Sequence, residues 1–260
     1  MQLSTVLLLL AVGAAGGFTA GLFGVGGGLV IVPTLYFLWR NDPVLGPEVM
    51  HHAVATSLAC IVISAATSTW THWRAGRLAP DMMLALGASV SLGSVLAVWA
   101  SAHVSTQWLK LGFGLFALCT CLSLLRSRQI PPRSSALRNP ELWAAGSVIG
   151  HVSTLLGVSG GALVVPYLLF RGIDMRRAVV VSSQVAIPVS VIGSLGMALT
   201  GPDKAWTWGY VHWPAWLAIG SVSIYFAQRG ANISQTLDKR KLQLLFAGFL
   251  ALVALHMFSG

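Results

Sequence analysis

Charge is what this sequence has least of. Of 260 residues only 9% are Asp, Glu, Lys or Arg, whereas a soluble domain carries roughly a quarter. Too little polar side chain is present to cover a water-facing surface, which excludes a soluble globule and points to an integral membrane protein. Acids are the scarcest: Asp42, Glu48, Asp81, Glu141, Asp174, Asp203 and Asp238 all fall between apolar segments or at their ends, as the cost of a charge in hydrocarbon requires. No carboxylate therefore stands inside a segment to couple protons or to pair for catalysis. Cysteine is limited to Cys60, Cys119 and Cys121, all inside apolar segments. A disulfide framework is not expected, and the three read as small core residues. The opening MQLSTVLLLL has no Lys or Arg ahead of its apolar run, so a retained first segment is expected rather than a cleaved signal peptide.

Apolar residues make up 55% of the chain and the mean hydropathy is +0.76. Ten apolar segments lie near residues 3–22, 28–39, 52–71, 82–101, 106–125, 142–156, 160–170, 178–200, 210–228 and 242–259. Most approach the roughly 20 residues that span hydrocarbon, but the second and seventh are too short to cross at about 1.5 Å per residue. Each short segment follows a glycine cluster. Gly24 to Pro33 reads GVGGGLVIVP and Gly157 to Pro166 reads GVSGGALVVP, an internal repeat at an offset of 133 residues. Glycine clusters weaken helical hydrogen bonding and leave backbone groups free, which is tolerated at membrane depth only where protein or a polar cavity meets them.

The basic residues choose between two topologies. If each glycine cluster merely kinks one spanning helix, Lys and Arg divide 7 to 9 between the sides, without bias. If each cluster is the tip of a hairpin that returns to its own side, only Arg40, Lys110 and Lys204 share one side and the other thirteen share the opposite one. The second division obeys the positive-inside rule. The +9 net charge then reads as a topology signal, with no nucleic-acid partner expected. Both termini fall outside, and three full crossings per half turn the second half upside down. The expected fold is an all-α integral membrane protein of two inverted-topology repeats, each a helix hairpin broken at a glycine cluster and followed by three transmembrane helices. Residues 1–125 form the first repeat, 126–140 a Pro- and Ser-containing cytoplasmic linker, and 141–260 the second.

A glycine cluster that opens a half-helix leaves backbone N–H groups unpaired at the positive end of the helix dipole, a site for an anion. Two such tips meeting from opposite faces form the arrangement by which secondary transporters hold substrate. The candidate binding residues are Gly26, Gly27 and Gly28 at one tip and Ser159, Gly160 and Gly161 at the other. Tight helix crossing is the competing account of the glycines. Thr56, Ser57, Ser182, Ser183 and Gln184 occupy early turns of the segments after the hairpins, where their polar groups serve either substrate or helix–helix hydrogen bonds. His151, one residue after Gly150, either donates to an anion, relays a proton or is a satisfied bundle residue. His51, His52 and His72 are expected at the membrane interface, with no metal spacing among them. Trp39, Trp70, Trp73, Trp108, Trp143, Trp206, Trp208, Trp213 and Trp216 cluster toward segment ends and are expected to be interfacial anchors.

Across nearly its whole length the chain resembles the TauE/SafE, or TSUP, family of sulfite exporters. The resemblance is carried by GLFGVGGGLVIVP (Gly21 to Pro33), AVATSL (Ala53 to Leu58), HWRAGRL (His72 to Leu78), the second glycine motif, and AVVVSS (Ala178 to Ser183). It implies movement of sulfur-containing or organic anions such as sulfite, thiosulfate or sulfonates across the bacterial inner membrane. Two departures from symmetry stand out: Ser159 replaces a glycine, and Val181 stands where the first half has Thr56. The resulting expectation is a non-enzymatic carrier, an exporter working by alternating access, without cofactor, metal or catalytic residues. Its partners are a small anion and the bilayer, and homo-oligomerisation is left open. A structural membrane protein without transport, or a carrier of an unrelated solute, is the alternative.

Overall fold

The computed structural model describes residues 3–126 and 139–238, and positions 240, 241, 244, 245, 247, 248, 251, 252, 254 and 255 beyond them. It is an all-α protein. The helices are α1 (Leu3–Phe23), α2 (Gly28–Trp39), α3 (Val49–Arg74), α4 (Pro80–Ser101), α5 (Thr106–Arg126), α6 (Asn139–Leu155), α7 (Gly161–Phe170), α8 (Met175–Thr200) and α9 (Trp213–Thr236). A 3₁₀ turn, Gly46–Glu48, precedes α3. The described positions beyond 239 are also helical. Of the linker expected over 126–140, Arg126 closes α5 and Asn139 and Pro140 open α6, while 127–138 lie outside the described residues. The segment read as starting at 210 opens instead with a short antiparallel hairpin, β1 (Thr207–Trp208) and β2 (Val211–His212). Among the described residues four stretches are long and apolar enough to cross a membrane: Leu3–Phe23, Gly46–Arg74, Met82–Ser101 and Met175–Thr200.

Small residues set which helices touch. Gly13, Gly17 and Gly21, spaced by four on one face of α1, lie against the backbone of Ile219, Ser223 and Ala227 on α9. Gly150 of α6 lies in the same way against Val90 of α4, Gly146 lies against the Ser89 side chain, and Gly93 of α4 lies against the Ser147 carbonyl. The main pairings are α1 with α9, α6 with α4, α3 with α8, α3 with α9 and α4 with α8. The short helices α2 and α7 pack on α3 and α8 respectively. Close backbone approach lets dispersion replace the hydrophobic driving force that lipid does not supply. Fully buried Leu29, Met50, Leu58, Phe113 and Val165 fill the centre.

The chain doubles back at both glycine clusters. Arg171, just past α7, reaches Glu141 at the start of α6 in a two-pronged ion pair at 2.6 and 3.1 Å, so the open end of the α6–α7 hairpin is tied. Arg176 donates to the Leu237 carbonyl nearby, at 3.3 Å. At the opposite end the connections α2–α3, α4–α5 and α8–α9 meet: Thr106 donates to the Pro47 carbonyl at 2.6 Å, and Lys204 pairs with Glu48 at 3.0 Å.

Several sequence expectations are corrected. Where the sequence suggests interface residues, His51, His52 and His72 have buried rings, the first two held by carbonyl acceptors and the Tyr210 ring. Trp39 is buried against the His212 ring, and Trp216 points inward to donate to the Ala59 carbonyl. Cys60 and Cys121 are core residues, but Cys119 is exposed.

Gly21→Ala should drop the thermal midpoint of detergent-purified protein sharply, because its methyl group would sit on the Ala227 carbonyl and the Ala231 nitrogen. Gly87→Ala, which meets nothing within 4 Å, should raise it through helix propensity of about 1 kcal/mol. Equal midpoints for the two variants would contradict the close α1–α9 approach.

Candidate functional site

Each hairpin tip is shaped by backbone that ordinary residues avoid. Gly24, Gly26 and Gly27 have φ of 70, 69 and 79°, and Gly157 has φ of 68°, in the left-handed region that favours glycine. Helix α1 stops at Phe23 and α2 restarts at Gly28, while α6 stops at Leu155 and α7 restarts at Gly161. The tips touch. A Cβ on Gly26 would lie 2.6 Å from the Cβ of Ser159, and these two positions are equivalent in the sequence repeat. The neighbouring contacts are reciprocal: Gly28 lies against the carbonyl of Gly157, and Gly161 against the carbonyl of Gly24.

Two serines hold those same carbonyls crosswise. Ser57 of α3 donates to the Gly157 carbonyl at 2.8 Å, and Ser182 of α8 donates to the Gly24 carbonyl at 2.5 Å. Ser64, two turns along α3 from Ser57, donates to the Gly26 carbonyl at 3.2 Å. Carbonyls at the tips are thus served, but the amides are not. Among the described residues the N–H groups of 25–29 and 159–161 meet no protein acceptor. The Ser159 hydroxyl is wholly buried and likewise has no partner. Buried polar groups are nearly always satisfied, so an unpaired hydroxyl among unpaired amides at two helix N-termini is a candidate site for an acceptor. An anion supplies one, and each helix N-terminus contributes about half a positive charge toward it.

The other sequence candidates fall in different places. Gly27 is pressed against the Gly16 carbonyl of its own hairpin. Gly160 caps α7 in ordinary helical geometry, with its nearest neighbour at 3.4 Å, so its glycine is not demanded by sterics. Thr56 accepts from the His212 amide at 2.9 Å. The Gln184 Oε1 accepts from the Ala79 amide at 3.3 Å and its Nε2 faces the Met83 sulfur. Ser183 donates back to the Val180 carbonyl. These three hydroxyls and amides are occupied away from the tips. His151 stands half-buried on α6, beside Gly93 of α4. Sequence reasoning missed Ser64, although its spacing of seven from Ser57 puts both on one helix face. It also missed Ser153 and Thr154, buried and unpartnered at the end of α6. Among the described residues no group of three or more His, Cys, Asp or Glu gathers to hold a metal.

Ser159→Ala removes an unsatisfied buried hydroxyl and should stabilise the ligand-free protein by about 1 kcal/mol. Gly26→Ala should destabilise it by at least about 1–2 kcal/mol from left-handed backbone alone, with the Ser159 contact adding to that. Denaturation of both variants in detergent checks the pair of signs, and a destabilised Ser159→Ala would mean the hydroxyl has a partner.

Residues 9–257 match the family model described as Sulfite exporter TauE/SafE. The chain is 33% identical to a probable membrane transporter protein of Haemophilus influenzae, covering 97% of this chain and 98% of that one. It is 27% identical to another of Methanocaldococcus jannaschii, over 96% and 94% of the two chains. The similarity to YunE of Bacillus subtilis, also named a probable membrane transporter protein, is 23% over 96% of each. No solved structure matches. The family model and the end-to-end alignments place this multi-pass membrane protein in the TauE/SafE family.

Proposed function

We propose that the chain is a bacterial inner-membrane exporter of a small sulfur-containing or organic anion such as sulfite, thiosulfate or a sulfonate, held between the two glycine-rich tips. One observation carries the reading: at the touching tips the Ser159 hydroxyl and the amides of 25–29 and 159–161 have no protein acceptor. Binding by neutral donors suits an anion that must also leave. A buried Arg or Lys would hold it more tightly and would itself need desolvation.

In this reading the halves 1–125 and 141–260 are inverted repeats, and access alternates as one half rocks on the other. The reciprocal tip contacts, the crossed serine bonds and the exchanged pairings α1–α9 and α6–α4 support it. So does the meeting of Lys204 with Glu48, since a kinked-span topology would put those two connections on opposite sides. With thirteen basic residues on the other side, the Lys204 end faces outward and both termini lie with it. Ser57 and Ser182 shape the site by holding the tip carbonyls. Gly26, Gly28, Ser159 and Gly161 line the meeting point, and the amides of Gly27 and Gly160 contribute donors. Thr56, Ser183 and Gln184 support the scaffold. The tips touch here, so substrate enters only when they part.

Thermal-shift titration with sulfite, thiosulfate, sulfoacetate and chloride tests the site. A ligand at about 100 times its dissociation constant stabilises the folded state by about 2.7 kcal/mol. One sulfur oxyanion should raise the wild-type midpoint and raise that of Ser159→Ala less, although the variant is the more stable protein without ligand. Equal shifts in both proteins would remove Ser159 from the site, and no shift with any anion would overturn the reading.

A further inference from the structure

The end of the molecule bearing the Lys204–Glu48 pair holds a second polar cluster that the tip site does not use. Lys204 Nζ also donates to the Leu45 carbonyl at 2.9 Å, and the Tyr210 hydroxyl donates to Glu48 at 3.1 Å. His52 Nδ1 bonds the Tyr210 carbonyl at 3.0 Å, and His51 Nε2 bonds the Ser101 carbonyl at 3.1 Å. A carbonyl can only accept, so each ring carries its proton on the bonded nitrogen. The remaining nitrogens, His52 Nε2 and His51 Nδ1, are bare acceptors, buried and without a partner.

Two features separate His52 from His51. The His51 bond stays within the first half of the chain, whereas the His52 bond crosses to the second half. Thr56, one helical turn beyond His52, accepts from the His212 amide. The His52–Thr56 face of α3 therefore grips the β1–β2 hairpin at two backbone points. Next to Thr56 stands Ser57, which holds the Gly157 carbonyl at the tip.

The charged and titratable groups that face His52 are Glu48, Lys204, Tyr210 and His212. Glu48 from the turn before α3 and Lys204 from the α8–α9 connection neutralise each other. Burial, with the Glu48 hydrogen bond adding to it, pushes the Tyr210 hydroxyl up to about 12, so it stays a donor. Burial pushes the His212 imidazole below its usual value, and its Nδ1 accepts from the Ala215 amide. His51 on α3 itself is tied to the end of α4.

Resting on the transporter reading for its role in coupling, we propose that His52 is a proton-binding site whose occupancy is tied to opening of the Glu48–Lys204 end. With that end closed, a proton added at Nε2 would form a buried N–H with no acceptor, an uncompensated cost. When the β1–β2 hairpin lifts, water reaches the ring and hydronium supplies the proton to Nε2. Closing returns that proton to water or to the solute between the halves. Acidity therefore favours the open form. A chain with no carboxylate inside its apolar segments gains in this way a group that couples to protons.

The test uses a full-length chain with Cys60, Cys119 and Cys121 replaced, in nanodiscs, carrying nitroxides at Val44→Cys and Ala205→Cys. Both positions are exposed and flank the Lys204–Leu45 contact. Dipolar broadening should be strong at about pH 8 and be lost toward about pH 5, the range in which histidine titrates. His52→Gln, and His52→Asn if the first misfolds, should keep the broadening throughout, whereas His51→Gln and Glu48→Gln should retain a pH response. The ¹⁵N resonances of His52 in the unsubstituted protein should titrate together with the broadening. A pH-independent spectrum, a His52 variant that still responds, or a ring that titrates without loss of broadening overturns the proposal. Flux of sulfite, thiosulfate and sulfoacetate into proteoliposomes is read separately. No flux alongside the expected broadening would sink the transporter reading and leave His52 as a protonation site; flux alongside a pH-independent spectrum would sink only the latter.

Discussion

A helix interrupted inside packed protein leaves backbone donors and acceptors that no water reaches, and everything else in this molecule is arranged around that debt. Two of the acceptors are settled by exchange, Ser57 and Ser182 each serving the tip of the other half, while Ser64 serves Gly26 within its own. The touching tips are therefore part of the interface between the two halves of the chain. Among the described residues the amides of 25–29 and 159–161 are left without a protein acceptor. Hydroxyls on tip carbonyls beside unpaired tip amides suit the anion proposed above, without any charged side chain at the tips.

The glycine motifs were legible because their cause is local. Left-handed φ at Gly24, Gly26, Gly27 and Gly157 cannot be supplied cheaply by other residues, so sequence and backbone speak together. The membrane class was legible from charge scarcity alone. The burial of His51 and His52 was not, because it depends on Ser101 and on Tyr210, 158 residues from His52, and no periodicity announces a partner so distant. Gln184 is the instructive case. A polar residue deep in an apolar segment reads as a ligand contact, yet its acceptor is taken up by the Ala79 amide. Ala79 and His212 are equivalent at the 133-residue offset, and Thr56 accepts from His212 in the same manner. The loss of a hydroxyl at Val181 is compensated by an amide one turn on, which comparison of single columns cannot reveal.

Ser159 breaks the repeat in the opposite sense. Where the first tip has Gly26, the second has a side chain, and the two face each other. A glycine opposite the serine makes room for that side chain, and two serines there would collide. The asymmetry is therefore a packing requirement as much as a chemical one.

The connections carry a further consequence. The offset between halves is 133 residues at the tips but 125 at α3 and α8, as the Ser57–Ser182 match shows, so the stretch from the tip to Ser57, which holds the α2–α3 connection, is eight residues longer in the first half. The α8–α9 connection restores the difference. Both longer connections lie at one end, where Lys204 meets Glu48. The other ion pair among the described residues, Arg171–Glu141, lies within one half and survives any separation of the two. Any parting of the two halves of the chain at the Lys204–Glu48 end would break an ion pair, and parting at the Arg171–Glu141 end would leave its ion pair whole.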